Sequence, residues 1–463
     1  MKEKAVKINK HPDYRTAPAE RFSYGLYFLG QIMLYGIVVS FLQLYMTDLG
    51  IPAAIVGTVF LVAKIWDAVN DPLFGVIVDK AHLKGGRYTP WLRISTFAIP
   101  VATIFLFSMP SDLSVQVKII WAAIGYMLWD TAYTMCDVPI FAVATSMTDN
   151  QKERDGLFLI NRIFMYVGAL VGIVLIPTLY PAIGWSMTAV IIAVISLITM
   201  IPISFKAKER YFTQREKEPS ITDLFKYLGK NKYLLIFNGI LIVASLTSTG
   251  GAVGNYVAIH CYGGVQWITY FGLIAALPVF ISIVIMQKLI KKIDKYKIYV
   301  FCSAASIVFG IVTYFVGYGN MTVLIILGII KSLISGGIGI LGVMFTADCA
   351  EYGHYVSGDR AQGMAFSIQT FTAKFTTAIA SAVGMFMLGA IGFVEGEGAA
   401  QTPETIAWMW KMSALIPNIS ATVALILLII FYRLTTKDAA LMMKANAGEI
   451  THEEAEAQFT RKY

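Results

Sequence analysis

The chain has 463 residues, of which 57% are hydrophobic and only 14% are charged, and its mean hydropathy is +0.66. In a water-soluble chain of this length, about a quarter of the residues are charged, so this composition excludes an ordinary soluble protein. The formal net charge of +8 is compatible with either nucleic acid or anionic lipid as a partner. Long apolar runs, such as AVIIAVISLITMIPISF, indicate a polytopic membrane protein.

Hydropathy predicts an all-α membrane protein with twelve transmembrane helices. Apolar runs near 20 residues cross a bilayer core as helices, because a helix satisfies its own backbone hydrogen bonds. In chain order the predicted spans are 22–47, 52–79, 91–109, 117–147, 156–180, 182–205, 233–260, 265–288, 298–317, 321–348, 361–392 and 405–433. The longest polar interruption, residues 206–232, follows the sixth span and divides the spans into two bundles of six.

The positions of Lys and Arg predict the orientation in the membrane. Most basic residues lie in the N-terminal segment and in loops 80–93, 206–232 and 288–297. The alternate loops near 48–52, 181–186, 261–265 and 317–321 contain none. Basic loops stay on the cytoplasmic side, so both termini are predicted to be cytoplasmic in a cell membrane protein. The positive charge then contacts lipid headgroups, and no nucleic-acid partner is expected.

These observations predict four regions. They are a six-helix bundle (1–205), a cytoplasmic middle loop (206–232), a second six-helix bundle (233–435) and a cytoplasmic tail (436–463).

The arrangement of six plus six spans resembles the major facilitator superfamily. After the second span, Gly75, Asp79, Gly86 and Arg87 loosely match the short glycine, aspartate and basic signature of that superfamily. The equivalent loop after the eighth span keeps only Asp294 and nearby lysines. In such folds the two halves rock about a site at the membrane midplane, so the resemblance implies a transporter rather than an enzyme.

Three polar residues on one face of the second span form a candidate cation site. Asp67, Asn70 and Asp71 occur in AKIWDAVNDPLFG, where helical spacing places them together. Two carboxylates in a low-dielectric site need a bound cation or a proton, and hard oxygen ligands suit Na⁺, Li⁺ or H⁺. The alternative is a structural ion pair between one of these aspartates and Lys64.

The fourth span carries a second polar face in WDTAYTMCDVPIF. Asp130, Thr134 and Asp137 share a helical face, with Tyr133 beside them. The Thr134 hydroxyl could complete a cation shell, and Asp137 could accept hydrogen bonds from a polyol. Polar packing between helices is the alternative, and it is favoured for Asp130.

Further charged residues lie inside the fifth, tenth and eleventh spans. Arg162 must pair with a carboxylate or reach the headgroups, because its guanidinium stays protonated. Gln369, Thr370 and Lys374 lie about one helical turn apart, and Lys374 needs a counter-charge such as Asp137. Lys331 in the tenth span belongs to no comparable cluster and has no assigned role.

The polar motifs resemble the glycoside–pentoside–hexuronide:cation symporters, a family that includes the melibiose permease. The matching segments are KIWDAVNDPLFGVIVD, YTMCDVPIFAVATSMTDNQKERDGLFLINR and DCAEYGHYVSGDRAQGMAFSIQTFTAKF, and the resemblance covers nearly the whole chain. It implies that the coupling cation binds Asp67, Asn70, Asp71 and Thr134. It further implies that the sugar contacts Tyr133, Asp137, Phe141, Arg162, Gln369, Thr370 and Lys374.

Two departures from the family pattern concern the sugar side. A first-helix aspartate that contacts sugar falls at Ile32 in this chain, and a tryptophan that packs on the sugar falls at Phe141. Losing a carboxylate acceptor removes strong hydrogen bonds to sugar hydroxyls. The cation side is therefore expected to be intact and the substrate side altered, with a glycoside, a sugar acid or a glycoside with a hydrophobic aglycone as the substrate.

The expected function is secondary active symport of a glycoside, oligosaccharide or sugar acid with Na⁺, Li⁺ or H⁺, by a monomer without a covalent cofactor. A lysolipid transporter or flippase of the same fold is the alternative. An aspartyl intramembrane protease would need a Gly-x-Gly-Asp-type segment, which is absent at these positions. The four cysteines have no metal-ligand spacing and are expected to be apolar fillers: Cys136, Cys261, Cys302 and Cys349.

Overall fold

The computed structural model describes residues 14–81, 83, 85–211, 221–358 and 362–461. Every regular element among these residues is helical, which confirms the all-α prediction. Ten of the described segments are long and apolar enough to cross a membrane. Two further helices of 28 and 33 residues, which carry the acidic motifs, bring the number of membrane-length segments to twelve. The basic residues within 1–13 and 212–220, and the Asp79 side chain, lie outside the described part.

The chain folds into two compact units. The first comprises residues 1–216 together with 394–400, and the second comprises residues 217–393 and 401–463. The four-region division expected from hydropathy stays a prediction. The helices of the first unit are α1 (Pro18–Asp48), α2 (Ala53–Lys80), α3 (Thr89–Leu106), α4 (Val115–Met147), α5 (Gln151–Ile183) and α6 (Trp185–Lys206).

Small residues allow α1 to pack closely against α5 and α6. A Cβ atom at Gly30 would lie 2.3 Å from Thr199 Oγ1, and one at Gly168 would lie 2.7 Å from the Leu29 carbonyl oxygen. Because a side chain does not fit at either position, the helix backbones approach directly. This is the usual way in which membrane helices gain packing energy without a hydrophobic driving force between them.

Residues 394–400 cover the junction between α1 and α2. The Glu395 carboxylate accepts a hydrogen bond from Ala53 N at 2.9 Å, at the first residue of α2. Gly396 N donates to Thr47 O at 2.9 Å, near the last residue of α1. These bonds satisfy backbone groups that the two helix ends leave without partners in their own helices.

The second unit contains eleven α-helices among its described residues. They are α7 (Ile221–Lys230), α8 (Lys232–Ser245), α9 (Ser248–Ala252), α10 (Gly254–Tyr256), α11 (Gln266–Leu289), α12 (Lys295–Val316), α13 (Met321–Ser357), α14 (Gln362–Ala390), α15 (Pro403–Phe431), α16 (Thr436–Asn446) and α17 (His452–Glu456).

The predicted seventh span is an interrupted helix. It consists of α8, α9, α10 and a π-helical turn, Val257–Cys261, within one apolar segment of 30 residues. Its middle reads SLTSTGGAVGN, and glycine is a poor helix former. At the break, the Val243 carbonyl accepts hydrogen bonds from Leu246 N at 3.2 Å and from Ser420 Oγ of the neighbouring helix α15 at 2.6 Å.

The middle loop and the C-terminal tail contain helices that hydropathy did not predict. Helix α7 lies within the 206–232 loop, and α16 and α17 lie within the 436–463 tail. The tail is attached to the end of α13, where Asn446 Nδ2 donates to Glu351 Oε2 at 3.0 Å. The ring of His452 also stacks on Tyr355, with centroids 4.5 Å apart.

Candidate functional site

A chain of hydrogen bonds joins the polar faces of α2 and α4. Asn70 Nδ2 donates to Thr134 Oγ1 at 2.9 Å, and Thr134 Oγ1 donates to Asp71 Oδ1 at 3.0 Å. Asn70 is 6% exposed and Thr134 is 4% exposed, so the contact is buried inside the first unit. The structure therefore brings three of the four predicted cation ligands together.

The fourth predicted ligand, Asp67, forms an ion pair within its own helix. Lys64 Nζ lies 3.2 Å from Asp67 Oδ2, one turn earlier on α2. Lys64 also lies close enough to the buried Asp130 of α4 for their charges to interact. A cation that binds Asp67 must therefore compete with the Lys64 ammonium group for this carboxylate.

A second hydrogen bond fastens α2 to α4 one turn away from Thr134. Trp66 Nε1 donates to Thr131 Oγ1 at 3.0 Å, and Thr131 Oγ1 donates to the Met127 carbonyl oxygen at 2.8 Å. Sequence reasoning missed this contact. The signal that could have indicated it is the position of Thr131, three residues before Thr134 on the same helix.

The ligand atoms of the α2–α4 cluster have the chemistry of a site for a small hard cation. Asp67 and Asp71 supply carboxylate oxygens, while Asn70 and Thr134 supply a carbonyl and a hydroxyl oxygen. Within the described part of the chain, no group of three or more His, Cys, Asp or Glu residues could hold a metal ion.

An aromatic cluster adjoins the predicted substrate residues of α4. The ring of Tyr133 stacks on Trp129 with centroids 5.1 Å apart, and it lies 5.4 Å from the ring of Tyr35 on α1. Asp137 follows one turn later on the same face and is half-buried. Helical spacing could have pointed to Trp129, whereas nothing local in the sequence links Tyr35 to this cluster.

Ile32 and Phe141 occupy the positions at which the chain departs from the family pattern. A Cβ atom at Gly168 of α5 would lie 2.4 Å from Ile32 Cγ2, so Ile32 fills the groove between α1 and α5. Phe141 is 41% exposed, and its ring contacts Phe28 with centroids 5.5 Å apart. Ile32 thus serves helix packing, while Phe141 keeps an accessible ring surface.

The remaining predicted substrate residues lie on α5 and α14. The Arg162 side chain is exposed, and within the described residues it has no hydrogen bond or ion pair. Arg162 lies eleven residues into α5, or about 17 Å along the helix axis. On α14 in the second unit, Gln369 is half-buried, while Thr370 and Lys374 are exposed.

Comparison with known protein families gives a match over most of the chain. The model described as "MFS/sugar transport protein" matches residues 23–436. The isoprimeverose transporter of Lactiplantibacillus pentosus is 30% identical over 394 residues, covering 81% of each chain. The uncharacterized symporter YnaJ of Bacillus subtilis (strain 168) is 28% identical over 426 residues, covering 89% of this chain and 91% of that protein. A glucuronide carrier protein homolog of Escherichia coli (strain K12) is 25% identical, covering 86% and 88%.

Solved structures show the same fold at low sequence identity. The nucleoside transporter NupG has a TM-score of 0.64 and 14% identity, covering 90% of this chain and 100% of that one. A bacterial homologue of the iron transporter ferroportin has a TM-score of 0.63 and 15% identity, covering 89% and 98%. Together with the helical architecture and the family match, these findings establish the fold and the class of protein. The chain belongs to the MFS/sugar transport protein family, and it is a multi-pass membrane transporter of the major facilitator fold rather than an enzyme.

Proposed function

We propose that this protein is a symporter that couples uptake of a glycoside or sugar acid to a gradient of Na⁺, with Li⁺ or H⁺ as alternative coupling ions. The observation that carries the proposal is the contact of the buried Asn70 and Thr134 with the half-buried Asp71, with Asp67 one turn away. Buried carboxylates within a transmembrane segment are costly, and a bound cation offsets that cost. Because the oxygen ligands come from both α2 and α4, a cation can bind all of them only when these two helices lie close together.

Coupling follows from the charge of this cluster. Without a cation, the Asp71 carboxylate, which accepts a hydrogen bond from Thr134, keeps a negative charge that opposes its enclosure away from water. A bound monovalent cation neutralises this charge and holds α2 against α4. Closing the site away from water is then more favourable for the cation-bound protein than for the cation-free protein. This difference in free energy drives the conformational change.

The substrate class is inferred from the relatives and from the polar and aromatic groups of the first unit. One relative is named an isoprimeverose transporter, another a glucuronide carrier protein homolog and a third a putative sulfoquinovose importer. The Arg162 guanidinium has no hydrogen bond or ion pair within the described residues, so it is available for a carboxylate or sulfonate. Asp137 supplies an acceptor for sugar hydroxyls, and Tyr133 and Phe141 supply ring surfaces for the sugar or its aglycone.

Uptake into membrane vesicles tests both parts of the proposal. A small panel of glycosides and uronides is offered with and without an imposed Na⁺ gradient, and again with Li⁺ or a proton gradient. We expect one sugar class to accumulate only with a cation gradient. Sugar accumulation that is independent of the Na⁺, Li⁺ and proton gradients would disprove symport. Uptake of a lysolipid instead of sugars would indicate an amphiphile transporter of the same fold.

The variant Asp71→Cys tests the location of the cation site. We expect it to reduce cation-stimulated uptake at least tenfold, since a carboxylate ligand is lost from a site with few charges. The matched control is Asp112→Cys, because Asp112 is an exposed acid outside the helices of the first unit. Equal Na⁺ stimulation in wild type and Asp71→Cys would show that the cation binds elsewhere.

A further inference from the structure

A cavity inside the second unit contains none of the residues proposed for the cation or the sugar. Its volume is about 370 Å³, and its walls come from α8, α12, α13 and α15 and from the break after α8. This volume lies within the range of small-molecule sites in proteins. The lining includes Lys331, the lysine of the tenth predicted span that has no assigned role.

Lys331 lies near the middle of the membrane by its position in α13. It follows Met321 by ten residues, which corresponds to about 15 Å along a helix that crosses a core of about 30 Å. An ammonium group at this depth is expensive unless an opposite charge accompanies it. A role for Lys331 must therefore explain what balances its charge.

Two other lysines of the transmembrane helices have a carboxylate partner, which Lys331 lacks within the described residues. Lys64 pairs with Asp67 at 3.2 Å, and Lys295 Nζ lies 2.6 Å from Asp348 Oδ1. Lys331 has no hydrogen bond or ion pair within the described residues, and no acidic residue lines its cavity. Among the described residues, no acidic group balances the positive charge of Lys331.

Hydroxyl groups around the cavity also lack the usual partners. A Ser or Thr in a membrane helix normally donates to a carbonyl oxygen three or four residues earlier. On the same four helices, Ser245, Thr313, Thr346 and Thr422 do so, at 2.7–3.3 Å. The side chains that line the cavity make no such bond within the described residues: Thr247, Tyr299, Ser303, Ser306 and Ser335.

Within the described residues, the ammonium group and the five hydroxyl groups around this cavity make no hydrogen bond, and no carboxylate lies among them. Water could bond to the hydroxyl groups but would leave the lysine charge without a counter-charge. A bound anion supplies the missing acceptors and the missing charge together. A chloride ion would satisfy the charge, but it is small for a cavity of this volume and for hydroxyl groups contributed by three separate segments of the chain.

We propose that this cavity binds a small organic anion, a carboxylate or sulfonate, with Lys331 as its charge partner and the surrounding hydroxyl groups as hydrogen-bond donors. The site lies entirely within the second unit. It does not rest on the proposed symport mechanism, because equilibrium binding measures it without transport. An anion held there links α13 to α12 and to the segment after α8, so its binding stabilises the folded second unit.

Thermal unfolding of the purified full-length protein tests the site. Sodium acetate and sodium methanesulfonate are titrated at constant Na⁺ concentration and ionic strength, with chloride as the replaced anion. We expect both organic anions to raise the melting temperature in a saturable manner. Lys331→Met removes the charge at similar size and should weaken the fitted affinity about tenfold or more, while Lys331→Arg should retain binding. Lys331→Gln provides a second neutral variant if Lys331→Met does not fold.

Two matched variants separate this site from other positive charges. Lys411→Met removes a lysine of α15 that lies over the ring of Trp408, and it should leave the anion response unchanged. Arg162→Gln removes the guanidinium proposed for the sugar site, so an anion response that is lost in this variant alone arises from that site. Retained binding in both neutral Lys331 variants would refute the proposal, as would loss of binding in Arg162→Gln alone. An unchanged melting temperature as either organic anion replaces chloride would also refute an organic occupant.

Discussion

At the residue scale, Thr134 is the side chain on which the proposed cation site depends. Its hydroxyl accepts from Asn70 and donates to Asp71, so a single oxygen atom ties two ligands of α2 to α4. The sequence predicted these residues because each helix carries its polar groups at helical spacing. It left the Lys64–Asp67 pair as an alternative, and the structure contains that pair beside the cluster.

Replacing this hydroxyl by a methyl group tests the cluster with little change in volume. We expect Thr134→Val to raise the Na⁺ concentration for half-maximal uptake about tenfold, because the site loses an oxygen ligand and a buried hydrogen bond. Uptake is measured at a fixed sugar concentration over a range of Na⁺ concentrations. Thr131→Val is the control, since Thr131 joins the same two helices through Trp66. A similar effect in both variants would indicate that only helix packing matters.

At the element scale, a distant acidic side chain completes the first turn of α3. The N-cap residue Tyr88 provides no side-chain cap. Instead, Glu209 accepts hydrogen bonds from the backbone N–H groups of Arg87, Tyr88 and Thr89 at 2.7–2.9 Å. Gly86 allows this approach, because its φ is +123° and a Cβ atom there would lie 2.4 Å from Glu209 Oε1. The sequence singled out Gly86 only as part of a motif, since Glu209 lies more than 100 residues away.

Substitution of Gly86 should therefore destabilise the start of α3. Gly86→Ala combines an unfavourable backbone conformation with displacement of the Glu209 carboxylate, at a cost of about 1–3 kcal/mol. We expect a lower melting temperature in detergent. Gly156→Ala is the control, because Gly156 lies within α5 and a Cβ atom there meets nothing within 4 Å. Alanine favours a helix interior, so unchanged or higher stability is expected for that variant. Equal melting temperatures for the two variants would contradict the role given to Glu209.

At the scale of the whole molecule, two units of membrane helices confirm the transporter fold, while the orientation in the membrane stays a prediction. The basic loops predict cytoplasmic termini, because positive charge hinders translocation of short loops across the membrane. By this assignment, Lys206 at the end of α6 is cytoplasmic. Asp112, between α3 and α4, is on the opposite side.

Labelling with a membrane-impermeant maleimide checks this orientation. In intact cells, we expect Asp112→Cys to react and Lys206→Cys to react only after permeabilisation. Native Cys136, Cys302 and Cys349 are buried, and the half-buried Cys261 is replaced by serine in both variants. Labelling of Lys206→Cys but not of Asp112→Cys in intact cells would show the inverted orientation.

The sequence by itself determined the membrane class, the helical spans and the polar faces of the second and fourth helices. These properties are local, because hydropathy and helical periodicity depend on residues within a few turns of each other. Only the tertiary structure decided which faces meet. The Asn70–Thr134 contact, the Glu209 cap and the cavity around Lys331 all join residues that are far apart in the chain. Their partners depend on how whole helices pack, and no local pattern encodes that arrangement.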